Sequence, residues 1–385
     1  MRAAIWAVAT LAAIVAASVV LPGQAGYDWH LPPGFPVPPV PADNPMSAGK
    51  VALGRHLFYD VRLSGNRTQS CASCHQQSLA FADGRPVSIG STGERHPRGS
   101  MSLANVAYAA SLTWANPTLT ALEDQALVPM FGEHPVELGL ATDDRFIDLV
   151  RSDRRYAPLF RDAFPGDADP YTRRHVLMAM ASFQRTLISG RSPYDRYHFE
   201  RDDAAISAAA RRGEVLFHSR QLSCFTCHGG FNMSGTTVTA SRPSAATEFH
   251  NTGLYNLAGA LSYPASNTGI YELTHVAADV GKFKPPTLRN IAVTAPYMHD
   301  GSVATLDEAI DHYAAGGRTI SGGPHQGVGR DNPNKSPTLR GFTLSPEQRV
   351  DLVAFLESLT DEAFLHDPRF SNPWTGDRAE QDGER

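Results

Sequence analysis

An all-α fold in two similar halves is predicted by three features of the sequence. A short pattern recurs, with Gly54, Leu57-Phe58 and Cys71 in the first half echoed by Gly213, Leu216-Phe217 and Cys224 in the second. Thr172 to Ile188 (TRRHVLMAMASFQRTLI) carries apolar residues at three- and four-residue spacing and stops at Gly190, the pattern of an amphipathic helix. Ser345-Pro346-Glu347-Gln348 has the form of a capping box with proline at the first helical position, and it opens a second helix through VDLVAFLESL. The 385 residues suffice for two domains at roughly 150 residues each. Apolar residues make up 42 % and charged residues 19 %, which excludes a disordered polymer and a polytopic membrane protein. With 34 Lys+Arg against 39 Asp+Glu, the net charge of −5 gives no reason to expect a nucleic-acid partner.

Along the chain, Arg2 is followed by no charge until Asp28, and the apolar run from Ile5 to Leu21 ends at Pro22-Gly23-Gln24-Ala25-Gly26. Residues 1–25 read as a signal peptide, the alternative being an uncleaved anchor; either places the body of the protein across a membrane, in the periplasm. Residues 26–48 form a Pro-rich arm, extended rather than helical and running along a domain surface. A first domain over 49–198 closes with the 172–188 helix, and the boundary falls near 190–205. A second domain over 199–362 closes with the 345 helix. Segments 229–285 and 316–341, rich in Gly, Pro, Ser and Asn, read as long loops. The tail, 363–385, is charged beyond Asp367 and expected to fray.

The chain has four cysteines, all in two copies of one motif, CASCH at 71–75 and CFTCH at 224–228. In an exported protein four cysteines would ordinarily suggest disulfides. In CxxCH, however, two thiols one helical turn apart add across the vinyl groups of one haem while the adjacent His reaches the iron, so each copy reads as a covalent c-type haem site. A four-Cys zinc site or two disulfides would leave both histidines unexplained. Cys71, Cys74, Cys224 and Cys227 are therefore the attachment thiols, and His75 and His228 the proximal iron ligands. Each half then reads as a small cytochrome c-like haem domain.

With LGRHLFYDVRLSGNRTQSCASCH at the first site and PPTLRNIAVTAPYMHDGSVATLDEAI after the second, the chain resembles the bacterial dihaem cytochrome c peroxidase and MauG superfamily. The resemblance implies two all-α cytochrome c domains with one calcium ion between them. It also implies a first haem that reacts with hydrogen peroxide and a second that relays electrons. LEDQA followed by PVELG resembles the family's distal segment and places Gln125 and Glu137 over the open face of the first haem. There a carboxylate in a dry pocket moves the proton that O–O cleavage requires. Trp114 takes the place of the family's inter-haem tryptophan, although WANPT replaces the usual WDGRA. Asn105, with the carbonyls of Thr294 and Pro296, matches the calcium site, an oxygen set that suits Ca²⁺.

In the peroxidases of this superfamily a Met lies fourteen residues after the His of the HDG motif, and in MauG a Tyr. Counting from His299 gives Tyr313, on a short helix opened by the capping box Thr305-Leu306-Asp307-Glu308 and ended by Gly316-Gly317. A thioether favours Fe(II), whereas a phenolate favours higher oxidation states, so Tyr313 as second-haem ligand points to the MauG-like branch. The alternative is a Tyr313 packed in the core, with Met298 or His312 as ligand. His96 is either a distal ligand in a resting form or a surface loop histidine. SLTDEAFLHDPRFSNPW and FHNTGLYNL most resemble the MbnH type within that branch. That implies an enzyme that uses peroxide to reach a high-valent two-haem iron state and oxidises a tryptophan, to kynurenine, of an MbnP-like copper-binding partner. Leu222 stands where MauG carries a surface tryptophan, so the exit route is not copied; Trp29 and Trp374 are unplaced candidates. The alternatives are a dihaem peroxidase taking electrons from a small cytochrome c or cupredoxin, and a dihaem electron carrier.

Overall fold

The computed structural model describes residues 27–259 and 261–375. The expected signal peptide, 1–25, and the end of the tail, 376–385, lie outside the described residues. The α-helices in chain order are α1 (Ala48–Tyr59), α2 (Cys71–Cys74), α3 (Leu122–Phe131), α4 (Arg145–Ser152), α5 (Tyr156–Ala163) and α6 (Arg173–Arg185). They continue with α7 (Pro193–Phe199), α8 (Ala208–Phe217), α9 (Tyr271–Thr274), α10 (Leu306–Ala314), α11 (Pro346–Glu357) and α12 (Glu362–Leu365). The only strands among the described residues, β1 (Thr319–Ile320) and β2 (Gly327–Val328), pair antiparallel with Thr319 opposite Val328. The fold is mostly helical, and the predicted helices at 172, 305 and 345 are present with their caps. Thr172 accepts from the His175 N–H, and at α10 and α11 the boxes Thr305/Glu308 and Ser345/Gln348 are closed in both directions.

The recurring sequence pattern has a geometric cause. In the first half α1 crosses α6, and in the second α8 crosses α11. A Cβ on Gly54 would lie 1.9 Å from the Ala179 carbonyl oxygen, and one on Gly213 would lie 1.9 Å from that of Asp351. Each crossing therefore requires a residue without a side chain, because two backbones meet there. The end of each long helix is also closed alike. Asn105 and Asn290 both adopt the left-handed conformation, at φ 60° and 62°, and donate their N–H groups to Leu187 and Leu359. These asparagines sit in matching stretches, SLANVA and TLRNIA, a repeat that sequence reading missed.

Leu53, Met130, Phe160, Val176 and Met180 build the core between α1, α3, α5 and α6, while Phe217, Leu352, Phe355 and Leu359 build that between α8 and α11. Tyr194 of α7 packs on Phe355. The Pro-rich arm carries no helix before Ala48, as expected, and sinks Phe35 between Tyr108, Phe199 and Phe231. Segments 229–285 and 316–341 run as loops broken by single turns and the small hairpin. The tail corrects the sequence reading, since 368–375 is docked rather than frayed. Phe370 is buried against the first half, Arg55 donates to the Ser371 carbonyl at 2.6 Å, and the Trp374 indole donates to the His56 carbonyl at 3.0 Å. Asp367 pairs with Arg369 at 2.6 Å beside the docked aromatic residues, and the remaining tail charges lie outside the described residues.

Candidate haem sites and the space between them

At the first site α2 puts Cys71 and Cys74 one turn apart, and the His75 N–H donates back to the Cys71 carbonyl at 2.9 Å. The second site repeats this, with the His228 N–H donating to Cys224 at 3.0 Å. No disulfide joins any of the four cysteines, and burial pushes their thiols upward, to about 12 at Cys71 and Cys224 and about 11 at Cys74. A redox dithiol needs the opposite, a thiol made acidic by its surroundings. Both histidines are set up as metal ligands. His75 Nδ1 donates to the Phe81 carbonyl at 2.7 Å and His228 Nδ1 to that of Pro286 at 3.1 Å. Each bond fixes the tautomer and leaves the Nε2 lone pair for a metal. Burial lowers both pKa values, that of His228 to about 4, so the rings stay neutral as ligation requires.

Beside Cys224, Cys227 and His228 lies a cavity of about 510 Å³, within the roughly 300–1,000 Å³ usual for a cofactor. Tyr313 and Met298 both line it, whereas His312 is not part of its wall. Burial holds the Tyr313 phenol well above its ordinary range, and a cation at this site would favour its ionised form. His250 and His299 also face the cavity; His250 Nε2 lies 3.6 Å from Glu248 Oε2, and the His299 Nε2 is buried without a hydrogen-bond partner. A ligand carrying a carboxylate, as a haem does, would satisfy His299. The residues present therefore fit a covalent haem here.

Glu137 reaches the first site from the segment after α3. The Leu138 N–H donates to the Pro129 carbonyl of α3 at 2.8 Å, and the Ser91 N–H donates to the Glu137 carbonyl at 2.7 Å. Its carboxylate lies near enough to Cys71 and Cys74 to raise both thiols further. Burial pushes the Glu137 carboxyl up to about 7. Gln125 sits on α3 one turn before Pro129, on the helix that anchors this segment. His96, left between two readings, stands with its Nε2 3.7 Å from Glu137 Oε1.

Trp114 lines both the large cavity and a second one of about 110 Å³, and its indole donates to the Gly99 carbonyl at 2.9 Å. Lys284, a residue sequence reading passed over, lines the same two cavities and donates to the Ser111 carbonyl at 2.6 Å. Burial lowers its pKa to about 8. The smaller cavity is also lined by Asn105, Thr294 and Pro296. The expected calcium set fits only in part, because the Asn105 carboxamide is already engaged. Its Oδ1 accepts from the Ser189 N–H and its Nδ2 donates to the Ser189 carbonyl, each at 2.8 Å. The Asn290 side chain likewise bonds Ser189 Oγ at 3.0 Å and the Asp361 N–H at 2.8 Å, so these asparagines tie helix ends.

Residues 48–204 match the di-haem cytochrome c peroxidase family. A cytochrome-c peroxidase, IdrP1, of Denitromonas iodatirespirans is 36 % identical over 93 % of this chain and 94 % of its own length. The methylamine utilization protein MauG of Methylorubrum extorquens is 35 % identical over 84 % of this chain and 82 % of its own. Among solved structures, a MauG-like protein associated with microbial copper homeostasis superposes with a TM-score of 0.87 at 46 % identity, covering 90 % of this chain and 99 % of that one. The diheme peroxidase BthA of Burkholderia thailandensis shares the fold, at a TM-score of 0.63 and 23 % identity over 92 % of this chain and 98 % of that one.

Proposed function

Because the chain belongs to the di-haem cytochrome c peroxidase family, we propose that it is a periplasmic enzyme that spends hydrogen peroxide on oxidising a residue of another protein, a tryptophan of a copper-binding partner taken to kynurenine. Oxidoreductase chemistry and two c-type haems come with the family. The choice within it is carried by one observation, that Tyr313 lines the cavity at Cys224, Cys227 and His228, where the peroxidases place a Met. The association of the 46 %-identical MauG-like protein with copper homeostasis supports a copper-binding partner, and the apolar run from Ile5 to Leu21 supports export.

When bound, the haems supply the reduction of peroxide and hold the two oxidising equivalents it yields. The chain's own residues do the rest. Cys71 with Cys74, and Cys224 with Cys227, fix the two cofactors by thioether links, and His75 and His228 each offer Nε2 to an iron. Glu137, ionised, would take a proton from the peroxide and return it to the departing oxygen, and α3 supplies Gln125 as the second polar group of the distal segment. Each peroxide takes up two protons and two electrons from the partner to leave as two waters, so two peroxides meet the four-electron oxidation of the tryptophan to N-formylkynurenine, with two waters supplying its two new oxygens, and hydrolysis then releases one ring carbon as formate to give kynurenine. Trp114, which lines the second-site cavity and the smaller cavity beside it with its N–H already spent on Gly99, is the group through which charge would pass toward the second site. Thr294 and Pro296 remain the carbonyl donors of the proposed calcium, to which Asn105 offers only a second lone pair.

A dihaem peroxidase is the second reading, favoured by Met298 on the same cavity wall. The two separate when holoenzyme, hydrogen peroxide and a copper-binding partner protein are combined and the partner is mapped by mass spectrometry. Conversion of one partner tryptophan to kynurenine, with slow consumption of reduced cytochrome c, is expected. Rapid cytochrome c oxidation with an unmodified partner would establish the peroxidase instead.

A further inference from the structure

The loop that carries His96 is bound to the segment that carries Glu137 by three hydrogen bonds, each to a main-chain group of that segment and none made by the His96 or Glu137 side chain. The Ser91 N–H donates to the Glu137 carbonyl at 2.7 Å, Ser91 Oγ donates to the Leu138 carbonyl at 3.1 Å, and the Val136 N–H donates to Glu94 Oε2 at 2.9 Å. The fit is close, since a Cβ on Gly90 would lie 1.7 Å from the Val136 carbonyl oxygen. The two side chains therefore face each other because their backbones are laced together.

The orientation of the His96 ring is also set. The His96 backbone N–H donates to the Ser88 carbonyl at 2.8 Å, and the ring Nδ1 accepts from the Arg98 backbone N–H at 3.2 Å. A nitrogen that accepts from an amide N–H carries no proton, so in the neutral ring the proton sits on Nε2, the atom 3.7 Å from Glu137 Oε1. Arg98, next along the loop but one, is held away from the pair: its Nε donates to Asn267 at 2.8 Å, its guanidinium pairs with Glu272, and it lies 5.4 Å over the Phe283 ring. The charged groups around the pair are thus Arg98, with Glu272 opposing it, and Glu94, which is spent on Val136.

We propose that His96 is a positioning residue for Glu137, its Nε2–H directed at the carboxylate so as to orient it and to stabilise its ionised form. The separation shortens to a hydrogen bond when the site is occupied, as such contacts do on passing from an empty to a loaded site. Burial and the neighbouring Arg98 lower the His96 pKa, so the ring serves as a neutral donor and is not itself the proton carrier. With Nδ1 closed by Arg98, it cannot take a proton on one face and deliver it from the other. The proposal rests on the reading of Glu137 as the group that accepts the peroxide proton.

The test compares wild-type holoenzyme with His96→Phe, which removes the donor, His96→Gln, which keeps an N–H donor without a titrating ring, and Glu137→Gln. The rate of reaction with hydrogen peroxide is followed across pH, and the Glu137 carboxyl band is followed by infrared difference spectroscopy, with Glu137→Gln identifying it. His96→Phe is expected to move the controlling ionisation, and the infrared titration with it, upward by about one pH unit. Below both ionisations the rate then falls roughly tenfold, because the carboxylate fraction falls tenfold for each pH unit. His96→Gln is expected to stay close to wild type. An unmoved ionisation in His96→Phe, or an equal rise in both His96 variants, would overturn the donor role. If Glu137→Gln itself leaves the rate and its pH profile unchanged, the reading of Glu137 fails, and that result is distinct from failure of the His96 proposal.

Discussion

Burial alone pushes the Glu137 carboxyl up to about 7, which leaves comparable populations of acid and base at neutral pH. A group that first takes a proton and then returns it works best when neither form is scarce. The sign of the pH dependence follows. The reaction with peroxide needs the carboxylate, so the rate falls as pH drops through about 7 and levels off above it. Glu137→Gln is expected to slow that reaction by roughly 10²- to 10⁴-fold and to flatten the profile, as stopped-flow absorbance would report. Much of this residue-scale chemistry is legible in the sequence, since CxxCH names six residues and their roles at once. What sequence reading could not reach is carried by main chain or by distant loops. The Phe81 and Pro286 carbonyls that set the His75 and His228 tautomers have no side-chain signature, because any residue has a carbonyl. His96 and Glu137 come from separate loops, and nothing short of the folded backbone brings them together.

The helices divide the molecule along lines the sequence partly discloses. Caps are local, so Thr172, Thr305 and Ser345 could be read directly, as could the Gly-x-x-Leu-Phe repeat. The cause of that repeat is not local. Gly54 and Gly213 sit where α1 meets α6 and α8 meets α11, and a methyl group at either would press on a carbonyl oxygen 1.9 Å away. Gly213→Ala is expected to destabilise the holoprotein by about 1–3 kcal/mol, measured by denaturant unfolding, through forced separation of the two backbones. Gly54→Ala should behave alike, whereas alanine at Gly230 or Gly259 meets no neighbouring atom within 4 Å and carries only the strain of its positive φ. Asn105 shows how much a motif leaves unsaid: whatever it offers a cation, its carboxamide closes the α6 end on Ser189 as Asn290 serves the α11 end, a parallel visible only when SLANVA and TLRNIA are aligned on the fold.

At the scale of the whole molecule the two halves are joined by segments that composition alone misjudges. The arm inserts Phe35 among Tyr108, Phe199 and Phe231, and the returning tail places Phe364, Leu365 and Phe370 in the core of the first half, so both ends of the described chain staple the duplicated units. Between the halves, Trp114 and Lys284 each touch both cavities, and the loop after His96 reaches across through Arg98 to Asn267 and Glu272. Tyr313, on the wall of the second-site cavity, is the residue on which the proposed protein oxidation rests. The most direct test is the ultraviolet-visible and near-infrared spectrum of the fully oxidised holoprotein before and after one equivalent of hydrogen peroxide, in wild type and Tyr313→Phe. The expected result is one high-spin and one low-spin haem at rest, then a long-lived near-infrared band from charge shared between the haems, without any prior reduction and lost in Tyr313→Phe. No response until one haem is reduced, with an unaltered low-spin haem in Tyr313→Phe, would contradict the role of Tyr313 and place the protein with the peroxidases.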